Sequence, residues 1–126
     1  MTFYGRLQLD FGDRGPEVGR IAILLAPVIW RGITLPAGFM SDGATVPRLL
    51  WSFLPPWGDR STVAALIHDF ACDSLKAGHA VPGGDTRSAC DRLFRDALLD
   101  LGVADWRAWA CWAGVRAYSI YEETFG

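Results

Sequence analysis

From Phe3 to Phe11 the chain alternates, with Phe3, Gly5, Leu7, Leu9 and Phe11 on one side and Tyr4, Arg6, Gln8 and Asp10 on the other. That period of two is the mark of a half-buried strand. Gly12 to Pro16 reads as a turn and Val18 to Leu25, almost wholly apolar after Arg20, as a second strand, so the two are expected to pair as a hairpin. Pro27 stops a central strand from continuing. Val28 to Trp30 and Ile33 to Leu35 then give short strands around an Arg31-Gly32 turn.

Beyond Leu35 the period changes. Pro36-Ala37-Gly38 and Asp42-Gly43 are turn formers, and Thr45-Val46-Pro47 reads as a cap with proline in the first turn of a short helix, Arg48 to Phe53. Ser61 to Lys76 carries apolar residues three and four apart behind a Ser-Thr pair that supplies an N-cap signal. After a glycine-rich loop, Ala77 to Asp85, Thr86 caps a second long helix, Arg87 to Leu101, with the stripe Ala89, Cys90, Leu93, Phe94, Ala97, Leu98 and Leu101. Gly102 is a stop, and Ala104 to Tyr121 is a third helix. The elements predict an α+β domain spanning residues 1–126, with an N-terminal antiparallel sheet of three or four strands packed on three principal helices.

With 51% apolar residues, 126 positions are enough for one real core and too few for two. A net charge of −2, with signs mixed along the chain, excludes the clustered basic surface of a nucleic-acid binder. No apolar run is long enough to span a bilayer, and the N-terminus has neither a basic start nor an apolar signal core, so the cytoplasm is the expected place of synthesis. Three cysteines make no complete disulfide framework, which fits a reducing compartment. Among six tryptophans, Trp106, Trp109 and Trp112 recur every third residue. That spacing sweeps around a helix, so at least one of them leaves the core face and is available to another chain or to the N-terminal hairpin.

The chemistry concentrates on the first long helix. His68 shares a face with Ala64, Ala65, Ala71 and Cys72, so its imidazole is expected inside, where a ring nitrogen needs a protein partner. If the two long helices lie antiparallel, Asp91 is within about one turn of His68, and Cys72 and Cys90 are near each other. A site follows: Asp91 orients the imidazole, His68 takes a proton from water, and Asp69 with Asp42 holds a hard cation such as calcium that polarises the substrate.

Other readings stay open. His68 can be a satisfied core histidine with Asp69 a helix-edge carboxylate, and Asp42-Gly43 a plain turn. A zinc set of His68, Cys72, His79 and Cys90 has suitable ligands without CxxC or HExxH spacing. Cys72, four residues after His68, has the position of a nucleophile and also of inert packing.

Three blocks, LPAGFMSDGATVPRLLW, ALIHDFACD and RSACDRLFRDALLDLGV, with a closing helix that contains VRAYS, resemble a family of small proteins encoded mainly by bacteriophages and prophages. The resemblance covers about the last ninety residues and implies a viral origin rather than a particular reaction. His68-Asp69 on one helix with Cys90-Asp91-Arg92 on the next is also similar to secreted phospholipase A2 enzymes. That likeness implies His68 as the base, Asp69 as a calcium ligand and Asp91 as the group that orients His68. The chain departs from the pattern at Cys72, one residue late, and in lacking both the neighbouring tyrosine and the glycine-rich calcium loop, unless Asp42-Gly43-Ala44 stands in for it.

Two expectations follow. One is a phage-encoded accessory protein with a His/Asp, calcium-assisted hydrolase site acting on lipid or cell-envelope bonds. The other is a non-catalytic virion component of tail or neck, or a host-interaction protein, in which the same cluster is structural. Its partners are then other virion proteins or a second copy bound through the tryptophan-rich helix, with synthesis in the host cytoplasm and incorporation into a particle.

Overall fold

The computed structural model describes residues 9–13, 20–41 and 60–125. The fold is α+β, an N-terminal antiparallel sheet and a hairpin followed by three helices. Strand β1 (Leu9–Asp13) pairs antiparallel with β2 (Arg20–Leu24), Leu9 opposite Leu24 and Asp13 opposite Arg20. Gly12 and Asp13, expected in the turn, thus continue the strand, because ladder hydrogen bonds outweigh the weak strand preference of glycine. Residues 3–8 of the expected first strand, and the expected helix Arg48 to Phe53, lie outside the described residues.

Strands β3 (Val28–Trp30) and β4 (Ile33–Leu35) form a separate two-stranded hairpin. Both bury alternate residues, Val28 and Trp30 on one strand and Ile33 and Leu35 on the other, while Ile29 and Thr34 face out. Arg31 and Gly32 turn the chain with φ of +50° and +75°. Positive φ at both central positions matches the right-handed twist of the strands, at a cost of about 1 kcal/mol for the non-glycine residue. The Arg31 side chain is well held in compensation: its guanidinium lies 4.7 Å from the Trp30 ring and bonds Asp96 at 3.0 Å.

A two-residue strand β5 (Met40–Ser41), absent from the periodic pattern, pairs with β2 to complete the order β1-β2-β5. The Leu24 amide donates to the Phe39 carbonyl at 2.8 Å, so the chain after β4 is drawn back along β2.

The helices are α1 (Arg60–Lys76), α2 (Arg87–Asp100) and α3 (Asp105–Phe125). Helix α1 begins one residue before the expected Ser-Thr cap, and α3 runs to Phe125 rather than Tyr121. At α2 the capping signals act as expected. The Thr86 hydroxyl accepts from the Ala89 amide at 3.0 Å, and Gly102, at φ +86°, lets the Val103 amide reach back to the Leu98 carbonyl at 3.0 Å.

From Val63 to Asp69 every residue of α1 is buried, and α2 buries its stripe from Ala89 to Leu98. These side chains join Trp30, Leu24, Ile33 and Leu35 from the strands in one apolar cluster. The hairpin is fixed to α2 by polar contacts at the cluster edge, where Trp30 Nε1 donates to Asp100 at 2.9 Å. Among the described residues no helix is long and apolar enough to cross a membrane.

Candidate functional site

Helix α1 delivers His68 into the centre of the fold, where it is 0% exposed, and α2 delivers Asp91, also 0% exposed. His68 Nε2 lies 2.7 Å from Asp91 Oδ1. The second carboxylate oxygen is occupied too, since Arg116 of α3 donates to Asp91 Oδ2 at 2.8 Å. Arg87, one turn earlier on α2, stands 4.0 Å from Oδ1 and reaches Glu122 of α3 at 3.5 Å. One buried carboxylate therefore receives groups from all three helices.

Behind the imidazole are two thiols and a ring. Cys72 Sγ is 3.7 Å from the same Nε2, and the Phe94 ring centroid is 5.4 Å from that of His68. Cys72 and Cys90, brought together from α1 and α2 as expected, are hydrogen-bonded free thiols, and Cys90 Sγ also meets the Gly84 carbonyl at 3.6 Å.

The electrostatics follow from burial and pairing. Burial alone would lower the pKa of His68, but the bond to Asp91, aided by Cys72, more than offsets it and raises the pKa to about 9. At neutral pH the ring is an imidazolium and lacks the lone pair that a general base needs. The Cys72 thiol is pushed up by its hydrogen bond to Cys90 and by burial, so it remains a thiol.

A cysteine nucleophile of the triad kind needs the thiol and the orienting carboxylate on opposite ring nitrogens. Here both address Nε2, so Cys72-His68-Asp91 does not have that arrangement. Nor do His68, Cys72, His79 and Cys90 gather as a zinc set. His79 lies in the exposed loop after α1, and among the described residues no group of three or more His, Cys, Asp or Glu could hold a metal ion.

Of the four residues singled out in the sequence, His68 and Asp91 meet directly. Asp69 is buried beside His68 on α1, 7% exposed, and Asp42 lies outside the described residues. Calcium takes six to eight oxygens, and Asp69 is one carboxylate toward that number. Arg116 escaped sequence reasoning. The signal was a cation directly after Val115, at the edge of the buried stripe Ala108, Cys111, Val115 and Ser119 of α3, where a charge needs an acidic partner.

A family described as "Protein of unknown function (DUF1353)" matches residues 26–115, from just before β3 to the last turns but three of α3, and the chain belongs to it. The matched span holds His68, Asp69 and Asp91 and ends one residue before Arg116. No curated protein and no solved structure matches the chain.

Proposed function

We propose that this member of an uncharacterised domain family is a non-catalytic component that acts through its surface, with His68, Asp91 and Arg116 as a polar staple locking three helices together. The observation that carries the reading is Asp91, wholly buried with one oxygen on His68 and the other on Arg116. Both acceptor atoms are committed to the protein's own cations. The ring they hold is sealed from solvent and protonated at neutral pH. Such an arrangement fixes helix positions, which supports a structural role for the cluster.

What the staple holds in place is a surface. Helix α3 is buried along one narrow stripe and exposes Trp106 at 64% and Trp109 at 49%, more aromatic area than a face turned only to water carries. The resemblance to phage-encoded proteins supports a place among virion components of tail or neck, or among proteins that meet the host, with other virion proteins or a second copy on this face.

A calcium-assisted hydrolase acting on lipid or cell-envelope bonds is the second reading. The short His68–Asp91 bond favours it, since that is the contact the phospholipase resemblance implies. In that case His68 is the base, Asp91 orients it, and Asp69 with Asp42 holds the metal.

His68→Asn separates the two. The staple reading expects a large loss of stability in urea, no lipid-ester or amide hydrolysis by the parent protein with or without calcium, and no calcium-dependent rise in melting temperature. Turnover by the parent that disappears in a still-folded His68→Asn variant would overturn it.

A further inference from the structure

Helix α3 meets the rest of the fold through Ala108, Cys111, Val115 and Ser119. The opposite side carries Trp106, Ala110, Ala113, Ala117, Ile120 and Thr124, all exposed. Alternating steps of four and three residues link these six positions, the spacing of a seam between two helices, and none is charged. Trp109 and Tyr121 widen the seam at its ends, Tyr121 with 60% of its surface exposed. A stripe this regular, over five turns of one helix, is matched by another helix rather than by water.

We infer that the seam is filled by α3 of a second copy of the chain, running antiparallel to the first. The inference rests on the surface-acting reading above and names the partner.

Volume complementarity is the first argument. With the twofold axis level with Val115, Trp106 faces Thr124 of the copy, Ile120 faces Ala110, and Ala113 faces Ala117. Each large side chain meets a small one, and the helices approach evenly. A parallel pair sets Trp106 on Trp106 and Ile120 on Ile120 with three alanine layers between, which props the ends apart and leaves voids in the middle.

Charge is the second. The last turn of α3 holds the exposed Glu123 at the negative end of the helix dipole, whereas the first turn holds Asp105 with Arg107 close behind, at the positive end. A parallel pair stacks the two acidic ends. An antiparallel pair brings each acidic end to the other copy's N-terminus and Arg107, whose guanidinium lies 5.4 Å from the Trp106 ring at the seam edge. A twofold axis generates both contacts at once, as an isologous dimer requires.

Sedimentation equilibrium of the full chain is expected to give twice the chain mass at micromolar concentration. Ala113→Arg, an exposed position whose change leaves the helical circular dichroism intact, is expected to weaken self-association at least tenfold. For orientation, Ala110→Cys and Ile120→Cys variants are mixed and mildly oxidised. They cross-link to one another and neither to itself, because like positions stand about 15 Å apart along the pair axis. A monomer at all concentrations, a dimer indifferent to Ala113→Arg, or self-cross-linking of either cysteine variant each overturns the inference. None of these bears on His68, so the staple reading stands or falls separately on the stability and turnover of His68→Asn.

Discussion

His68 Nε2 and Asp91 Oδ1 stand 2.7 Å apart across the boundary between α1 and α2, in a place neither shares with solvent. The bond makes stability depend on pH. The His68 pKa is raised to about 9 in the folded protein from its ordinary value of 6.5, so the folded state binds the proton more tightly than the unfolded chain. The contribution is fully present below pH 6.5 and is lost as pH rises through 9. The expected decline is on the order of 3 kcal/mol across that window. Urea denaturation at half-unit pH steps measures it. A flat profile between those limits, or an identical decline in His68→Gln, would show that His68 does not carry the charge.

Asp91 is the acceptor on which the other groups converge, and its removal takes a hydrogen-bond partner from both His68 and Arg116. With Asp91 gone burial alone lowers the His68 pKa, so Asp91→Ala leaves a buried neutral imidazole and takes the acceptor from Arg116, and the expected loss is about 3 kcal/mol. Arg116 is 17% exposed and can turn toward water, so Arg116→Met is expected to cost less, about 1–2 kcal/mol. A double-mutant cycle of the two should show coupling, because both substitutions remove the same bond. Additive losses in chemical denaturation would mean that the 2.8 Å contact between them contributes nothing.

How much of this could be read from residues alone differs by element. Both long helices announced themselves through three-and-four periodicity, and Thr86 and Gly102 marked the ends of the second. The His68–Asp91 contact was allowed but not forced by helix lengths and the loop between the helices, since spacing sets the level of each residue and not the facing of the two helices. Arg116 did not follow, since its aim depends on how far α3 rotates about its own axis, and that is decided by packing against α2. Strand β5 was hidden for another reason: two residues have no period, and Met40-Ser41 abuts Asp42-Gly43, which reads locally as a turn. Asp42 itself, the most distant member of the expected constellation, lies outside the described residues.

The β3–β4 hairpin is fastened to α2 by two acidic residues, Asp96, which accepts from Arg31 at 3.0 Å, and Asp100. Asp100 accepts from Trp30 Nε1 at 2.9 Å and stands 3.5 Å from an Arg31 nitrogen. Trp30 is 0% exposed, so Asp100→Ala removes a 2.9 Å hydrogen bond made by a buried indole N–H. Asp100→Ala is expected to destabilise by about 1–3 kcal/mol. Amide exchange should quicken in β3 and β4 more than in α1, since the hairpin is the part released. Uniform acceleration across the chain would argue instead that Asp100 supports the whole fold equally.

Chemical access to the thiols tests the same interior from another side. Cys72, Cys90 and Cys111 are free and buried, at 1%, 0% and 0% exposure. Burial pushes the Cys111 thiol up, and Cys72 is raised by its hydrogen bond to Cys90 and by burial, while that same bond lowers Cys90. Cys90 is therefore the most acidic of the three, yet its sulfur is directed at Cys72 and at the Gly84 carbonyl rather than at solvent. An aromatic disulfide reagent at pH 7 is expected to modify none of the three in the native protein and all three in denaturant, with native labelling limited by the rate of opening. Gly84→Ala provides the contrast. An added Cβ would come within 2.8 Å of Val81 Cγ2 in the same loop, beside Cys90 Sγ at 3.5 Å, so the loop that covers the thiol must repack. Cys90 in that variant should label faster than in the parent, and an unchanged rate would mean that the loop does not guard the thiol pair.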